Sequence, residues 1–308
     1  MELSWCRSFI AVYELGGFSS AARALHRSQS RISSHIAGLE EHLGEVLFNR
    51  DVHPASLTQA GEAFLPHARG MVDEWGAGVA AIEAQRGDIS GTVAIGSMPS
   101  ASSQILAPFL AQFARRHPRA TFEVHEGPNS WLDEALAYRT IEVAIRPLLQ
   151  VRPQRATEHH ILMTDPIVVV LPVGHELAEH ESISLSQLAG TPVITTGEPG
   201  LDAKIGAEFR PFLDEIDVDR EHSLAVSQPT TVYAFVEAGL GLGLMGQLPA
   251  EMFSPPSVVF RPLDHPTASR DIAAYYASTR RLSPAAEVFL TELMEFTTKR
   301  FGRPSHTH

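Results

Sequence analysis

The chain has 308 residues, 44% hydrophobic and 19% charged, a length and mix that suit a globular protein of two domains. Its net charge of -12 excludes a uniformly basic nucleic-acid coat, and a single cysteine, Cys6, excludes an internal disulfide and any multi-cysteine zinc or iron-sulfur site. There is no signal-like start and no run of about 18 apolar residues, so the expected compartment is the cytoplasm, without a membrane span.

Cys6, Phe9, Ile10 and Tyr13 line one side of a leading helix that ends before Gly16 and Gly17, which gives Cys6 a structural place in a core. A short second helix follows, with Ala21, Ala22 and Leu25 as its packing face. The third helix is better marked: Ser28 is an N-cap, Gly44 a terminator, and Ile32, Ile36, Leu39 and Leu43 recur at helical spacing. Ser30, Ser33, Ser34, Ala37 and Gly38 point away from that stripe, with Arg31 at the flank, so the outward face is small and polar and suited to a major groove. A turn holding Asp51, His53 and Pro54, set between two apolar patches, suits a wing.

Phe9, Gly17, Phe18, Ala21, Ala22, Leu25, Ser28, Gln29, Ser33, Ile36, Leu39, Glu40, Leu43, Gly44, Leu47, Phe48, Arg50, Leu57, Thr58 and Gly61, in this order and spacing, resemble the winged helix-turn-helix of the LysR-type transcriptional regulators. The resemblance implies an α/β chain with three parts. These are a winged helix-turn-helix (1–58), a long linker helix that dimerises (59–88), and a two-lobed, periplasmic-binding-protein-like effector domain (89–308). It also implies double-stranded promoter DNA as partner, a homodimer or homotetramer, no cofactor and no catalysis. The DNA-reading candidates are Arg23, Arg27, Ser28, Gln29, Ser30, Arg31, Ser33, Ser34, His35, Arg50 and His53.

The chain departs from the family pattern where long polar side chains are common, offering Ser34, His35, Ala37 and Gly38 on the helix and His53, Pro54 and Ser56 in the wing. Residues 1–58 carry five arginines against six acids, so the head is not net basic. Serine hydroxyls and a helix N-terminus can hold phosphates without formal charge, and modest affinity per subunit is expected.

In the linker, Phe64, Ala68, Met71, Trp75, Gly78 and Ile82 alternate at steps of four and three, a coiled-coil-like seam. Thr58 caps it, Pro66 is expected to kink it, and Gly76 and Gly78 each weaken it by about 1 kcal/mol relative to Ala, so it needs packing against a partner or its own domain.

Beyond Gly91, apolar strands alternate with helices, implying parallel sheets in two lobes. Family topology places lobe I at 89–161 and 269–308 and lobe II at 162–268, with crossings near Leu162 and Ser269. Ligands of such lobes sit outside the carboxyl ends of the strands. Ser100, Ser102, Asn129, Ser130, Thr196, Gln228 and Thr230 are the candidates there for a small organic acid or other anion, with Arg146 as its carboxylate partner.

Other motifs carry no chemistry. Gly241 to Gly246 fits a dinucleotide fingerprint but reads as a strand after a helix. His175 and His180 are five apart, the wrong spacing for a zinc helix, and His159 and His160 are expected to be exposed near a crossing. The rival readings are a two-lobed solute-binding protein, which would need no reading head, and an enzyme, which would need a convergent acid, base or nucleophile.

Overall fold

The computed structural model describes residues 2–49, 54–84, 89–148, 157–197, 205–278 and 281–303. The amino-terminal head comprises α1 (Leu3–Glu14), α2 (Phe18–Ala24), α3 (Gln29–Leu43) and a two-stranded ribbon, β1 (Phe48–Asn49) with β2 (Ser56–Leu57). Cys6, Phe9 and Val12 of α1 meet Ala21 and Ala22 of α2 and Ile32, Ile36 and Leu39 of α3 in one core, closed by Leu47 and Phe48. Burying each of the larger side chains contributes roughly 1.5–3 kcal/mol. The apolar stripe of α3 stops at Leu39, because Leu43 lies exposed near the helix end. Gly44 closes the helix with a left-handed φ of 75°, and the Glu40 carboxylate accepts the Leu47 N–H at 2.9 Å, fixing the start of the ribbon.

Thr58 accepts the Gly61 N–H at 3.1 Å and opens α4 (Gln59–Ala84). The helix continues through Pro66 as one element. Its two halves differ. Leu65 and Ala68 are part of the head core, whereas Trp75, Val79 and Ile82 are exposed. The expected single seam is therefore divided between the chain's own head and an open face.

The remainder runs β3 (Ser90–Ser97), α5 (Pro99–Ala101), a π turn (Ser102–Leu106), α6 (Ala107–Arg116), β4 (Arg119–Glu126), α7 (Asn129–Ala137), β5 (Val143–Pro147) and β6 (Thr157–Pro172). Then come β7 (Ile183–Ser184), β8 (Val193–Thr196), α8 (Arg210–Leu213), β9 (Leu224–Val226), α9 (Pro229–Glu237), β10 (Leu242–Gly246), α10 (Gln247–Met252), β11 (Val258–Asp264), β12 (Ser269–Ala277) and α11 (Pro284–Phe301). Hydrogen bonding gives the order β4-β3-β5-β12-β6-β10-β8-β9, with β11 beside β6 and β7 beside β11. The sheets are mixed, not purely parallel: β3 pairs parallel with β4 and β5, and β8 with β9 and β10, but β6 and β12 run antiparallel to their sheet neighbours.

The long strand β6 joins the lobes. Residues 157–166 pair with β12 in the first lobe, and residues 167–172 pair with β10 and β11 in the second. Leu162 and Met163 lie in the first core and Ile167 in the second, so the chain passes between lobes at Thr164, Asp165 and Pro166. His159 and His160 lie within β6, against Tyr275 and Tyr276 of β12. The first-lobe core is aromatic, with Phe109 and Phe289 rings 5.2 Å apart under α6 and α11; α7 covers the opposite sheet face through Leu132 and Leu136. Gly243 and Gly246 fall in strand β10, as expected from the strand reading of that glycine run.

Candidate nucleic-acid interface and effector cleft

The turn between α2 and α3 is tight enough that His26 takes a φ of 50°. Ser28 caps α3 by accepting the Arg31 N–H at 3.3 Å, and Ser19 of α2 donates to Gln29 at 3.0 Å, so the start of α3 is pinned from both sides. Arg23, Arg27, Ser28, Gln29, Ser30, Arg31, Ser33 and Ser34 are all exposed. They form one continuous polar surface at the α3 N-terminus, where free N–H groups and the helix dipole favour anions.

Two residues expected on that surface face elsewhere. His35 turns inward, its Nδ1 at 2.7 Å from the buried Ser8 hydroxyl of α1, because position 35 falls on the edge that packs against α1. Desolvation, with Arg31 nearby, pushes the His35 pKa below the usual histidine value. Gly38 lies under the Trp5 ring and takes no part in the open face. Arg50 and His53 lie outside the described residues. Cys6 is fully buried, and burial pushes its thiol pKa up.

Between the lobes lies a cleft of about 670 Å³. Ser100, Asn129, Thr196, Gln228 and Thr230 all line it. Strand ends and helix starts bring them there: Thr196 ends β8, Asn129 begins α7, and Gln228 precedes α9. Ser100 is buried, and the Thr196 hydroxyl is buried with no hydrogen-bond partner.

Ser102, Ser130 and Arg146 are not among the lining residues. The Ser102 hydroxyl is enclosed in the π turn, and Ser130 sits on the exposed side of α7. Arg146 is held at 2.6 Å by Asp133 and stacks 4.1 Å over the Tyr275 ring, so its guanidinium belongs to the packing of α7 on the sheet and is no carboxylate partner for a ligand in the cleft.

The arginine in the cleft wall is Arg270, the second residue of β12. Its Nε donates to Asp165 at 3.0 Å and its Nη1 to Glu208 at 2.8 Å. Asp165 also accepts the Leu248 N–H at 2.8 Å, and a Cβ at Gly246 would collide with the Asp165 and Arg270 side chains. Burial opposes the Arg270 charge, but Glu208 and Asp165 outweigh it and hold the guanidinium more firmly protonated than usual. Desolvation pushes the Asp165 pKa up, partly offset by Arg270. This buried network sits at the strand that links the lobes. Glu126, Tyr233, Met252 and Phe253 complete a wall that sequence reasoning missed, and burial pushes the Tyr233 hydroxyl up to about 12. Among the described residues no cluster of three His, Cys, Asp or Glu could hold a metal ion, and no helix is long and apolar enough to cross a membrane.

A winged helix-turn-helix with its polar helix start open, joined through a long helix to two lobes around a cleft, defines a DNA-binding regulator with an effector domain. Two family models match: "Bacterial regulatory helix-turn-helix protein, lysR family" over residues 3–62 and "LysR substrate binding domain" over residues 86–297. The chain belongs to the LysR-type transcriptional regulators, which bind DNA and small-molecule effectors, form oligomers and are not enzymes. It is 31% identical over 281 residues to the HTH-type transcriptional regulator BudR of Raoultella terrigena, covering 89% of this chain and 93% of that protein. It is 30% identical over 290 residues to the HTH-type transcriptional regulator ShiR of Corynebacterium glutamicum, covering 94% and 97%. The fold is similar to that of a full-length OxyR variant from Pseudomonas aeruginosa, with a TM-score of 0.73 at 20% identity over 96% of this chain and 97% of that one. Full-length CbnR complexed with its target DNA gives 0.66 at 22% identity, covering 96% of this chain and 100% of that one.

Proposed function

We propose that this regulator reads promoter DNA with the start of α3. Gln29, Ser30, Ser33 and Ser34 reach base edges, while Arg23, Arg27, Arg31 and the cap Ser28 hold phosphates, and Arg50 and His53 of the wing add contacts in the adjacent groove. Residues 1–58 act as the reading head, 59–88 as the dimerising linker and 89–308 as the effector domain, and two dimers associate into a tetramer in the cytoplasm. The observation that carries this reading is the contrast between the two sides of α3: Ile32, Ile36 and Leu39 are buried, and Gln29, Ser30, Arg31, Ser33 and Ser34 are exposed. A small polar metabolite binds in the cleft against Ser100, Asn129, Thr196, Gln228 and Thr230, and favours one lobe arrangement over another. Such coupling typically amounts to about 1–3 kcal/mol.

Footprinting on the DNA upstream of the chain's own gene tests the head. Protection is expected over two half-sites, and Gln29→Ala with Ser34→Ala should abolish it while the fold persists. Protection unchanged by that pair would remove α3 from the proposal.

A further inference from the structure

We infer that the cleft takes a protonated organic amine with an apolar portion, not an organic acid, an assignment that rests on the reading of this cleft as the effector site. Among the described lining residues the charged groups are Glu126, Glu208 and Arg270. Arg270 is already engaged, holding Asp165 with Nε and Glu208 with Nη1, and Glu208 is itself nearly buried. A ligand carboxylate on the remaining Arg270 donors would be the third carboxylate at one guanidinium, beside Asp165 and Glu208, which repel it. The helix starts at the cleft soften this repulsion only in part, because Pro229 opens α9 without an N–H.

An ammonium group meets the opposite situation. Glu126 is exposed at the end of β4 and accepts a donor without losing an existing partner of Arg270. Thr196, 8% exposed, lines the same wall, and its buried hydroxyl has no hydrogen-bond partner, so it is unclaimed and can turn a lone pair to an ammonium N–H. Met252 and Phe253 are large apolar side chains left exposed on the same wall, and an aromatic face such as that of Phe253 attracts a cation as well as a hydrocarbon.

Isothermal titration of the full-length protein with matched compounds tests the assignment. One skeleton carries an amine, an alcohol or a carboxylate: phenethylamine, phenethyl alcohol and phenylacetate, and hexylamine, hexanol and hexanoate. In at least one set the amine should bind on the order of tenfold or more tightly than the acid. Glu126→Gln and Glu208→Gln should each erode that preference; Glu126→Gln, on the exposed rim, keeps the test open if loss of the Arg270 contact prevents folding. Acids that equal or exceed their amines in both sets overturn the assignment, as does a failure of both amines to bind, or a preference that survives both variants. Titration of the same samples onto the upstream DNA separates two failures. A change in DNA binding driven by acid leaves the effector reading intact and removes only the amine, whereas loss of any DNA binding strikes the reading itself.

Discussion

Arg69 of α4 donates to Glu14 at the end of α1 across 2.6 Å, and with its other terminal nitrogen to the Tyr138 carbonyl at 2.8 Å and the Thr140 hydroxyl at 2.6 Å. One buried guanidinium thus ties the reading head, the linker helix and the first lobe together. Glu14 is 47% exposed and can be solvated when unpaired, so its loss should cost less than about 1 kcal/mol. Arg69→Met also strands the Tyr138 and Thr140 acceptors and should cost about 2 kcal/mol. Calorimetry is expected to resolve a separate head transition in Arg69→Met and a single one in Glu14→Gln; the reverse order would show that the tie lies elsewhere.

The head should respond to acid. His35 has a folded pKa below its ordinary 6.5, mainly through desolvation, so the folded state disfavours its protonated form. Stability from this residue is fully present above pH 6.5 and is lost as pH falls through the folded value. Thermal melts between neutral pH and about pH 5 should show a decline that His35→Gln flattens. Parallel declines in both proteins would rule out this residue as the source.

Salt should weaken DNA binding only moderately. Arg23, Arg27 and Arg31 are the exposed arginines at the α2–α3 turn, and two such heads at about 0.9 per phosphate give a slope near -5 for log K against log salt. Fluorescence anisotropy on a duplex carrying a single pair of half-sites, which engages two heads, measures it directly. A slope twice as steep would mean that cations outside the described head dominate.

The open half of α4 should hold copies together. Trp75 is 61% exposed and lies with Val79 and Ile82 on the far half of the helix. Trp75→Glu with Ile82→Glu is expected to lower the mass seen by light scattering to half that of the tetramer or less and to cut operator affinity at least about a hundredfold through lost effective concentration. An unchanged mass would place the interface on another surface.

Much of the head is visible in the sequence because caps, helical spacing and tight turns act over a few residues. Ser28, Gly44 and Thr58 are local signals with local consequences. The cleft is only partly legible. Ser100, Asn129, Thr196, Gln228 and Thr230 reach it because loops at strand ends converge there whatever the detailed packing. Arg146 misleads because a position in the chain does not say which neighbour claims a long side chain, and here Asp133 and Tyr275 do. Arg270 stays hidden for the matching reason: Asp165 and Glu208 lie far from it in sequence, Asp165 reaching it through the pairing of β12 with β6 and Glu208 from the turn before α8. The inward turn of His35 likewise depends on Ser8, which no helical wheel of α3 includes.

Asn129 touches the cleft and Tyr138, just past the far end of the same short helix, packs against the head core. Nine helical residues span only about 13 Å and flex little over that length. The expected consequence is that each subunit hears its own ligand: a tilt imposed at one end of this lever arrives at the other inside the same polypeptide, without passing through a neighbour. Mixed oligomers, in which one copy carries a crippled cleft, should then answer in proportion to the intact copies, a graded output instead of an all-or-none one.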